Sequence, residues 1–292
     1  MIKKIGIGTA QWGSAYGISN RNGKVINKEI SNILSIAQSR GVKIIDTAPT
    51  YGNAEKSLSE QNLHAFNIVT KIPKFSKSEI TVNDIIKLNS RIEHFLSLLG
   101  ASQIYGILVH DGSDIMAKGG EYICDTLCDL KERGLVKKIG VSIYDSKNLD
   151  NICTRLKPDI IQLPINVLDQ RLIKDGTLKR LKNRDIEIHA RSIFLQGLLL
   201  MSPSLIPSYF KPWTDILNNW HKACHDQNFN FFQAALNFVI GIKEIDYCIL
   251  GFENSTQISE CIDSLDDKRI FDAKNIECSD VNLINPTNWR LD

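Results

Sequence analysis

Four polar residues within the first 110 positions of the sequence could together do acid–base chemistry. Asp46 ends a short apolar run, Tyr51 lies five residues later, and Lys71 and His110 end the next two runs. A phenol has a pKa near 10, and an ammonium group beside its oxygen would lower that pKa. Asp46 would balance the lysine charge, and His110 would donate a hydrogen bond to a substrate oxygen. This set predicts a site that protonates an oxygen while a cofactor adds hydride to the attached carbon, which is carbonyl reduction.

Taken singly, each of the four has a structural explanation: a helix cap, loop packing, a solvated lysine or a hydrogen-bonded histidine. Their common position relative to predicted strands favours the chemical interpretation. In an α/β barrel the catalytic groups come from the C-terminal ends of strands and from the loops that follow, so the four side chains would share one rim.

The elements that would position these residues alternate along the whole chain. Amphipathic segments, clearest at 28–41, 82–100 and 121–134, separate short apolar runs that are typical of parallel strands buried on both faces. The eight runs are 4–9, 42–46, 67–71, 104–110, 138–142, 160–164, 186–191 and 247–251. Eight strand–helix units predict an α/β fold, a (β/α)8 TIM barrel, as a single domain over residues 1–292.

Composition is that of a globular protein with a large core. The chain has 292 residues, 43% hydrophobic and 23% charged, with a formal net charge of +2 that favours no particular class of partner. No apolar segment approaches the roughly 18 residues of a membrane span, and the N-terminus is typical of a first strand rather than a signal peptide. Seven cysteines without paired spacing predict reduced thiols, a cytoplasmic protein and no metal site. We expect no nucleic-acid or membrane partner, and a monomer or small homo-oligomer.

The four residues also resemble the Asp, Tyr, Lys and His tetrad of the aldo-keto reductases. The resemblance extends over nearly the whole chain, because five blocks resemble family segments in order: GTAQWGSAYGISN (8–20), IIDTAPTYGNAEKSL (44–58), LVKKIGVS (135–142), IIQLPINVLDQR (160–171) and FLQGLLL (194–200). It implies an oxidoreductase that reduces an aldehyde or ketone with NADPH or NADH, with Tyr51 as general acid assisted by Lys71, Asp46 and His110. It also implies that the cofactor lies extended across the barrel top, so the absence of a GxGxxG motif is no objection.

The resemblance further implies contacts to the nicotinamide end of the cofactor. Ser142, Gln162 and Asn166 correspond to carboxamide-binding positions, with hydrogen bonding at strand ends as the alternative. Ile143 stands where the family often has Asn, so one amide contact would be missing. Arg191 falls where many members stack an aromatic ring on the nicotinamide. It would cover that ring, bind an anionic substrate group or bind a cofactor phosphate.

The segment 251–261 resembles the family's adenosine-binding segment. Glu253 stands where many members place an Arg against the 2′-phosphate of NADPH. A carboxylate there would favour NADH over NADPH, unless Lys243 or Lys268 supplies a counter-charge or Glu253 is a solvated surface residue. The other contacts implied are Gly251, Ser255, Gln257 and Glu260.

The substrate pocket is expected to be aromatic. Trp12 and Tyr16 from the first loop and Trp213 after the seventh strand would line it, with Trp289 as a further candidate. The irregular stretch 202–213 is predicted to be a long, functional loop. Such walls suit a sugar, an aldehyde or a ring ketone alike, and two of the family blocks resemble bacterial reductases of sugar and surface-polysaccharide metabolism.

Two other functions remain open at the level of sequence. One is a non-catalytic barrel that binds nicotinamide cofactors as a regulatory subunit. The other is a lyase that uses Lys71 as a Schiff base.

Overall fold

Eight parallel strands close into a barrel in chain order in the computed structural model, which describes residues 1–75 and 77–291. Each strand pairs with the next, and the first pairs with the last. The strands are β1 (Ile5–Gly8), β2 (Ile44–Asp46), β3 (Asn67–Ile72), β4 (Ile104–Val109), β5 (Val136–Ser142), β6 (Ile160–Pro164), β7 (Glu187–Arg191) and β8 (Tyr247–Gly251). The predicted (β/α)8 TIM barrel is confirmed.

Helices follow the strands and surround the barrel. The α-helices are α1 (Ala10–Gly13), α2 (Asn27–Ser39), α3 (Ala54–Ser59), α4 (Val82–Leu99), α5 (Ser113–Met116), α6 (Gly120–Glu132), α7 (Leu149–Leu156), α8 (Arg171–Lys174), α9 (Thr177–Lys182), α10 (Thr214–Asp226), α11 (Phe231–Ile240), α12 (Ser255–Asp263) and α13 (Val281–Ile284). Short 3-10 helices cover Ile2–Lys4, Leu195–Leu200, Pro203–Leu205, Ser208–Trp213, Ser264–Asp266 and Pro286–Asn288. The three clearest helical patterns of the sequence correspond to α2, α4 and α6.

Helix α4 illustrates how local sequence sets these elements. Thr81 and Asp84 form a capping box, in which each side chain accepts a hydrogen bond from the other residue's backbone N–H. Leu88, Ile92 and Phe95 then recur at helical spacing and are buried against the barrel.

The inside of the barrel is divided into layers. Apolar side chains from five strands contact one another in its middle: Ile44, Val69, Leu108, Ile160 and Ile249. Near the strand beginnings, Glu187 accepts hydrogen bonds from Tyr105 (Oη–Oε2 2.8 Å) and His189 (Nε2–Oε1 2.7 Å), and it pairs with Lys138. The apolar layer separates this basal polar cluster from the strand ends, so the barrel is a packed core with chemistry at its C-terminal rim.

A second apolar cluster lies outside the barrel. It joins the segment after β7 to α10 and the C-terminal residues. Phe210 is buried there and packs edge-to-face on Trp289 with ring centroids 4.9 Å apart. The stretch 202–213 therefore forms two 3-10 turns with a small core of their own, not the open loop expected from its sequence.

No helix among the described residues is long and apolar enough to cross a membrane. In the same residues the seven cysteines are unpaired thiols, five of them buried, and no cluster of His, Cys, Asp or Glu is arranged to hold a metal ion.

Candidate active site

A cavity of about 660 Å³ opens at the C-terminal ends of the strands. Every strand of the barrel, or the loop behind it, contributes to its wall. The lining includes Gln11, Tyr16, Tyr51, Lys71, His110, Ser142, Gln162, Arg191 and Gly251. Its size is that of sites that bind small molecules and cofactors.

Asp46, Lys71 and Gln162 form a buried hydrogen-bonded network at the floor of this cavity. The Lys71 ammonium donates to Asp46 Oδ1 at 2.6 Å and to the Thr47 carbonyl at 3.1 Å. The second oxygen of Asp46 accepts a hydrogen bond from Gln162 Nε2 at 2.8 Å. Lys71 Nζ lies 5.1 Å from the centre of the Tyr51 ring. The structure thus brings Asp46, Tyr51 and Lys71 together around the cavity, as the sequence predicted.

Electrostatics keep both the lysine and the tyrosine protonated. Burial acts against the ammonium, but the charge of Asp46, the Tyr51 phenol and the hydrogen bonds to both together outweigh it and raise the pKa of Lys71 above its ordinary value. Burial also raises the pKa of Tyr51, and the opposing effect of Lys71 does not cancel it. The lowering effect expected of Lys71 is therefore present, but burial is the larger influence, and the net pKa of Tyr51 is raised in the free protein. At neutral pH the phenol carries its proton.

His110 lies at the same rim and is uncharged. Burial, followed by the positive charges of Lys71 and Arg191, lowers the pKa of His110 to about 4. Its Nδ1 is buried without a hydrogen-bond partner among the described residues. A neutral imidazole has one N–H donor and one acceptor nitrogen, so this ring can donate a single hydrogen bond into the cavity.

The backbone around Tyr51 packs directly on helix α1. A Cβ atom on Gly13 would lie 1.5 Å from the Tyr51 carbonyl oxygen, and one on Gly52 would lie 2.5 Å from the Gly13 oxygen. Gly52 also has φ +56°, in the region that favours glycine. The two glycines let the chain segments touch, and this contact fixes the loop that carries the phenol.

Several residues assigned to the cofactor share this cavity and fit a nicotinamide dinucleotide. Gln162 Oε1 is buried without a hydrogen-bond partner in the described residues, so it is free to accept from an amide N–H. Ser142 lies on the neighbouring strand, opposite Gln162 in register. The Gln11 amide packs directly against Gly251, where a Cβ would lie 2.2 Å from Gln11 Oε1 and displace that side chain. The cavity wall also includes Arg191, Glu253, Gln257 and Glu260.

Glu253 is not simply a solvated surface residue. Its Oε2 accepts a hydrogen bond from Asn22 Nδ2 at 2.9 Å, and its backbone N–H donates to Gln257 Oε1 at 2.8 Å. It forms no ion pair with Lys243 or Lys268 in the part of the chain that the structure describes.

Two residues expected at the cofactor lie elsewhere. Asn166 is fully buried, and its amide holds its own turn, where Oδ1 accepts from the N–H groups of Leu168 and Asp169 and Nδ2 donates to the Ser192 carbonyl. Ser255 begins α12 outside the cavity wall and donates its N–H to Glu29. Both residues are held by these protein contacts, and their assignment to the carboxamide and the adenosine stays a prediction.

The tryptophans expected in the substrate pocket lie outside the cavity wall. Trp12 is fully buried in the main core, because α1 turns it inward. Trp213 packs on Tyr209 and donates its indole N–H to Asp280 at 3.0 Å, and Trp289 is buried in the second cluster. Only Tyr16 of the predicted pocket aromatics lines the cavity.

Other residues that the sequence did not reveal complete the wall. They include Tyr144, Ser192, Ile193, Phe194, Gln196, Phe232, Pro286 and Thr287. The backbone after β7 runs through three consecutive residues with positive φ, Leu195, Gln196 and Gly197. This turn presents the Gln196 carbonyl to the Ile18 N–H at 2.9 Å and so holds the first loop against the cavity. No single motif in the sequence signals such a long-range contact.

Comparison with known proteins decides the family. The sequence model of the aldo/keto reductase family matches residues 4–279. The chain belongs to the aldo-keto reductase family. It is therefore an oxidoreductase of a family that typically uses NAD(P)H and small carbonyl substrates.

Solved aldo-keto reductases share the fold of this one at low sequence identity. An aldo-keto reductase from Bacillus halodurans in its holo form is 14% identical, with a TM-score of 0.71 over 91% of this chain and 88% of that chain. Glycerol dehydrogenase from Gluconobacter oxydans is 16% identical, with a TM-score of 0.70 over 99% and 94%. A search of curated proteins found no match.

Proposed function

We propose that this aldo-keto reductase reduces an aldehyde or ketone to an alcohol, with Tyr51 as the general acid. The supporting observation is the protonated Tyr51 phenol beside the buried Lys71–Asp46 pair in the cavity at the strand ends. A proton donor must be protonated before the reaction and must tolerate the charge that remains afterwards. Burial keeps the Tyr51 phenol protonated, and the Lys71 ammonium favours the phenolate that remains after proton transfer.

The four side chains act in different ways. As negative charge develops on the carbonyl oxygen, Tyr51 donates its proton, and the Lys71 ammonium stabilises the phenolate that remains. Asp46 keeps Lys71 charged, and Gln162 holds Asp46 in place through its amide. Neutral His110 donates a hydrogen bond that orients the substrate oxygen. The nicotinamide cofactor, when bound, supplies the hydride.

The cofactor would be held at both ends of the cavity. Gln162 Oε1 and Ser142 suit the carboxamide, and Gly251, Gln257 and Glu260 suit the adenosine end. NADPH is the default of the family. Glu253 favours NADH, because a carboxylate fixed at the rim repels the 2′-phosphate of NADPH and accepts hydrogen bonds from the ribose hydroxyls of NADH.

The substrate is proposed to be a small, polar carbonyl compound, with a sugar derivative as one candidate. Hydroxyl and amide groups of Tyr16, Tyr144 and Gln196 share the wall with the rings of Phe194 and Phe232. This mixture suits a molecule with several hydroxyl groups and an apolar face. The unpaired thiols favour a reducing compartment such as the cytoplasm.

The test is Tyr51→Phe, which removes the proton donor and keeps the ring. A substrate panel first identifies an aldehyde that the wild type reduces. The rate of its reduction should fall by about 10²-fold or more in Tyr51→Phe, while NAD(P)H binding, measured by fluorescence, should be retained. Tyr122→Phe, an exposed tyrosine on α6, is the matched control and should retain full activity. Near-normal turnover by Tyr51→Phe would mean that another group donates the proton.

The two alternatives make different predictions. A Schiff-base lysine must lose its proton to attack a carbonyl, and the raised pKa of Lys71 disfavours that step. Borohydride trapping of a carbonyl on Lys71 would support the lyase. A regulatory barrel would bind NAD(P)H and turn over no carbonyl compound.

A further inference from the structure

Arg191 presents an always-charged group to the cavity, at the end of β7. Its guanidinium carbon lies 4.2 Å from the centre of the Tyr144 ring. Nη2 donates to the Ile143 carbonyl and Nη1 donates to Ser192 Oγ, both at 3.2 Å. A ring and two neutral oxygens thus fix the guanidinium plane. A guanidinium has five N–H donors, so these two contacts leave several unused.

The charge of Arg191 has no acidic partner among the described residues. Lys71, the neighbouring cation of the cavity wall, is paired with Asp46. Glu253, on the β8 side of the cavity, is hydrogen-bonded to Asn22 instead. The catalytic end of the cavity therefore carries one unbalanced positive charge. An unpaired charge that is partly removed from water is unfavourable unless a bound group balances it.

This charge is felt at the catalytic groups. Burial has the largest influence on the pKa values of Tyr51, Tyr16 and His110, and in all three Arg191 acts to lower the pKa. Arg191 and Tyr51 also line the same cavity, so one small molecule can contact both side chains.

We propose that Arg191 is an anion-binding residue of the substrate pocket, and that the preferred substrates are carbonyl compounds that carry a carboxylate or a phosphate. The planar guanidinium matches both groups, because its parallel N–H donors can pair with two oxygens. This inference rests on the proposed function. It assigns Arg191 to the substrate rather than to the nicotinamide ring, whose oxidised form is itself positively charged.

The test uses substrates that differ only in charge. Succinic semialdehyde and its methyl ester probe a carboxylate, and glyceraldehyde 3-phosphate and glyceraldehyde probe a phosphate. The wild type should favour the charged member of at least one pair by roughly 10- to 100-fold in kcat/KM, as expected for a charge-assisted hydrogen bond. Arg191→Gln should remove that preference by raising KM for the anion, and Arg191→Lys should keep part of it. Arg133→Gln, on the exposed face of α6, is the charge-matched control and should keep all of it.

A second measurement does not depend on turnover. The complex with NAD(P)H is titrated with succinate and with uncharged succinamide by calorimetry. Succinate alone should bind, and Arg191→Gln should lose that binding. Binding of succinate without reduction of any carbonyl would refute the reductase and leave the anion site standing.

Three results would overturn the anion site. One is equal kcat/KM for charged and neutral substrates in the wild type. Another is an unchanged preference in Arg191→Gln. The third is weaker NAD(P)H binding in Arg191→Gln with equal losses for both substrates, which would assign the residue to the cofactor.

Discussion

Replacing Asp46 by Asn should lower the free energy of unfolding by about 3–5 kcal/mol at neutral pH. The side chain of Lys71 is 1% exposed, and its ammonium lies 2.6 Å from Asp46 Oδ1. At an effective dielectric constant of about 20, two unit charges at this distance attract by roughly 6 kcal/mol. The Asn amide and the Thr47 carbonyl, 3.1 Å from the ammonium, would replace only part of that attraction.

The loss should depend on pH. In the wild type the pKa of Lys71 is raised, so its contribution to stability is complete below the unfolded value of about 10.4 and is lost as pH rises through the folded value. In Asp46→Asn the carboxylate no longer balances burial, the largest influence on the Lys71 pKa, and we expect the folded pKa to fall below the unfolded one. Between those two values the unfolded chain binds more protons, so the stability of the variant rises with pH. The difference in unfolding free energy between the wild type and Asp46→Asn should therefore be smaller at pH 9.5 than at pH 7.

The assay is urea unfolding, followed by tryptophan fluorescence and circular dichroism, at both pH values. It compares the wild type, Asp46→Asn, Lys71→Met and the double variant. The double variant has no buried unpaired charge. Its loss in unfolding free energy should therefore be smaller than the sum of the two single-variant losses, by about 2 kcal/mol or more. Strict additivity, or a loss below about 1 kcal/mol in Asp46→Asn, would show that the pair is not the buried ion pair described above.

Three further predictions concern catalysis, cofactor choice and acid stability. Lys71→Met should lose most carbonyl reduction and shift the pH–rate profile, because the phenolate loses its stabilising charge, and Lys71→Arg should restore only part; a fully active Met variant would contradict the proposed role. Glu253→Arg should lower KM for NADPH more than KM for NADH, by a factor of about ten in their ratio, in paired cofactor titrations; an unchanged ratio would place Glu253 outside the phosphate site. Although burial opposes it, hydrogen bonds from His189 and Lys138 lower the pKa of Glu187 from 4.5 to about 2. The ionised Glu187 carboxylate therefore contributes about 3 kcal/mol to the free energy of unfolding above pH ~4.5, and this contribution is lost as pH falls towards 2. Glu187→Gln lacks it, so between pH 5 and pH 3 the melting temperature of this variant should fall less than that of the wild type.

The sequence was informative where the signal is local. Continuous apolar runs predicted each strand to within two residues at either end, and the position of Asp46, Lys71 and His110 at strand ends was enough to place them at one rim. Long-range packing was less accessible. Trp12 and Asn166 have residue types suited to a pocket, but the turns around them direct one to the core and the other to neighbouring backbone groups. Tyr144 beneath Arg191 and the wall at Pro286 depend on contacts that neither periodicity nor spacing records.

The contact between Gly13 and Gly52 has a consequence for how this enzyme can vary. Gly52 is exposed to solvent and Gly13 is half-buried, positions at which most proteins accept a wide range of side chains. Here even a methyl group on Gly13 would meet backbone atoms of the loop that carries Tyr51, and one on Gly52 would meet the backbone of Gly13. In a saturation mutagenesis experiment scored by activity, both positions should be as intolerant as core residues. Directed evolution of substrate range would therefore do better to leave these two glycines fixed and to diversify the walls after β7 and at the C-terminus.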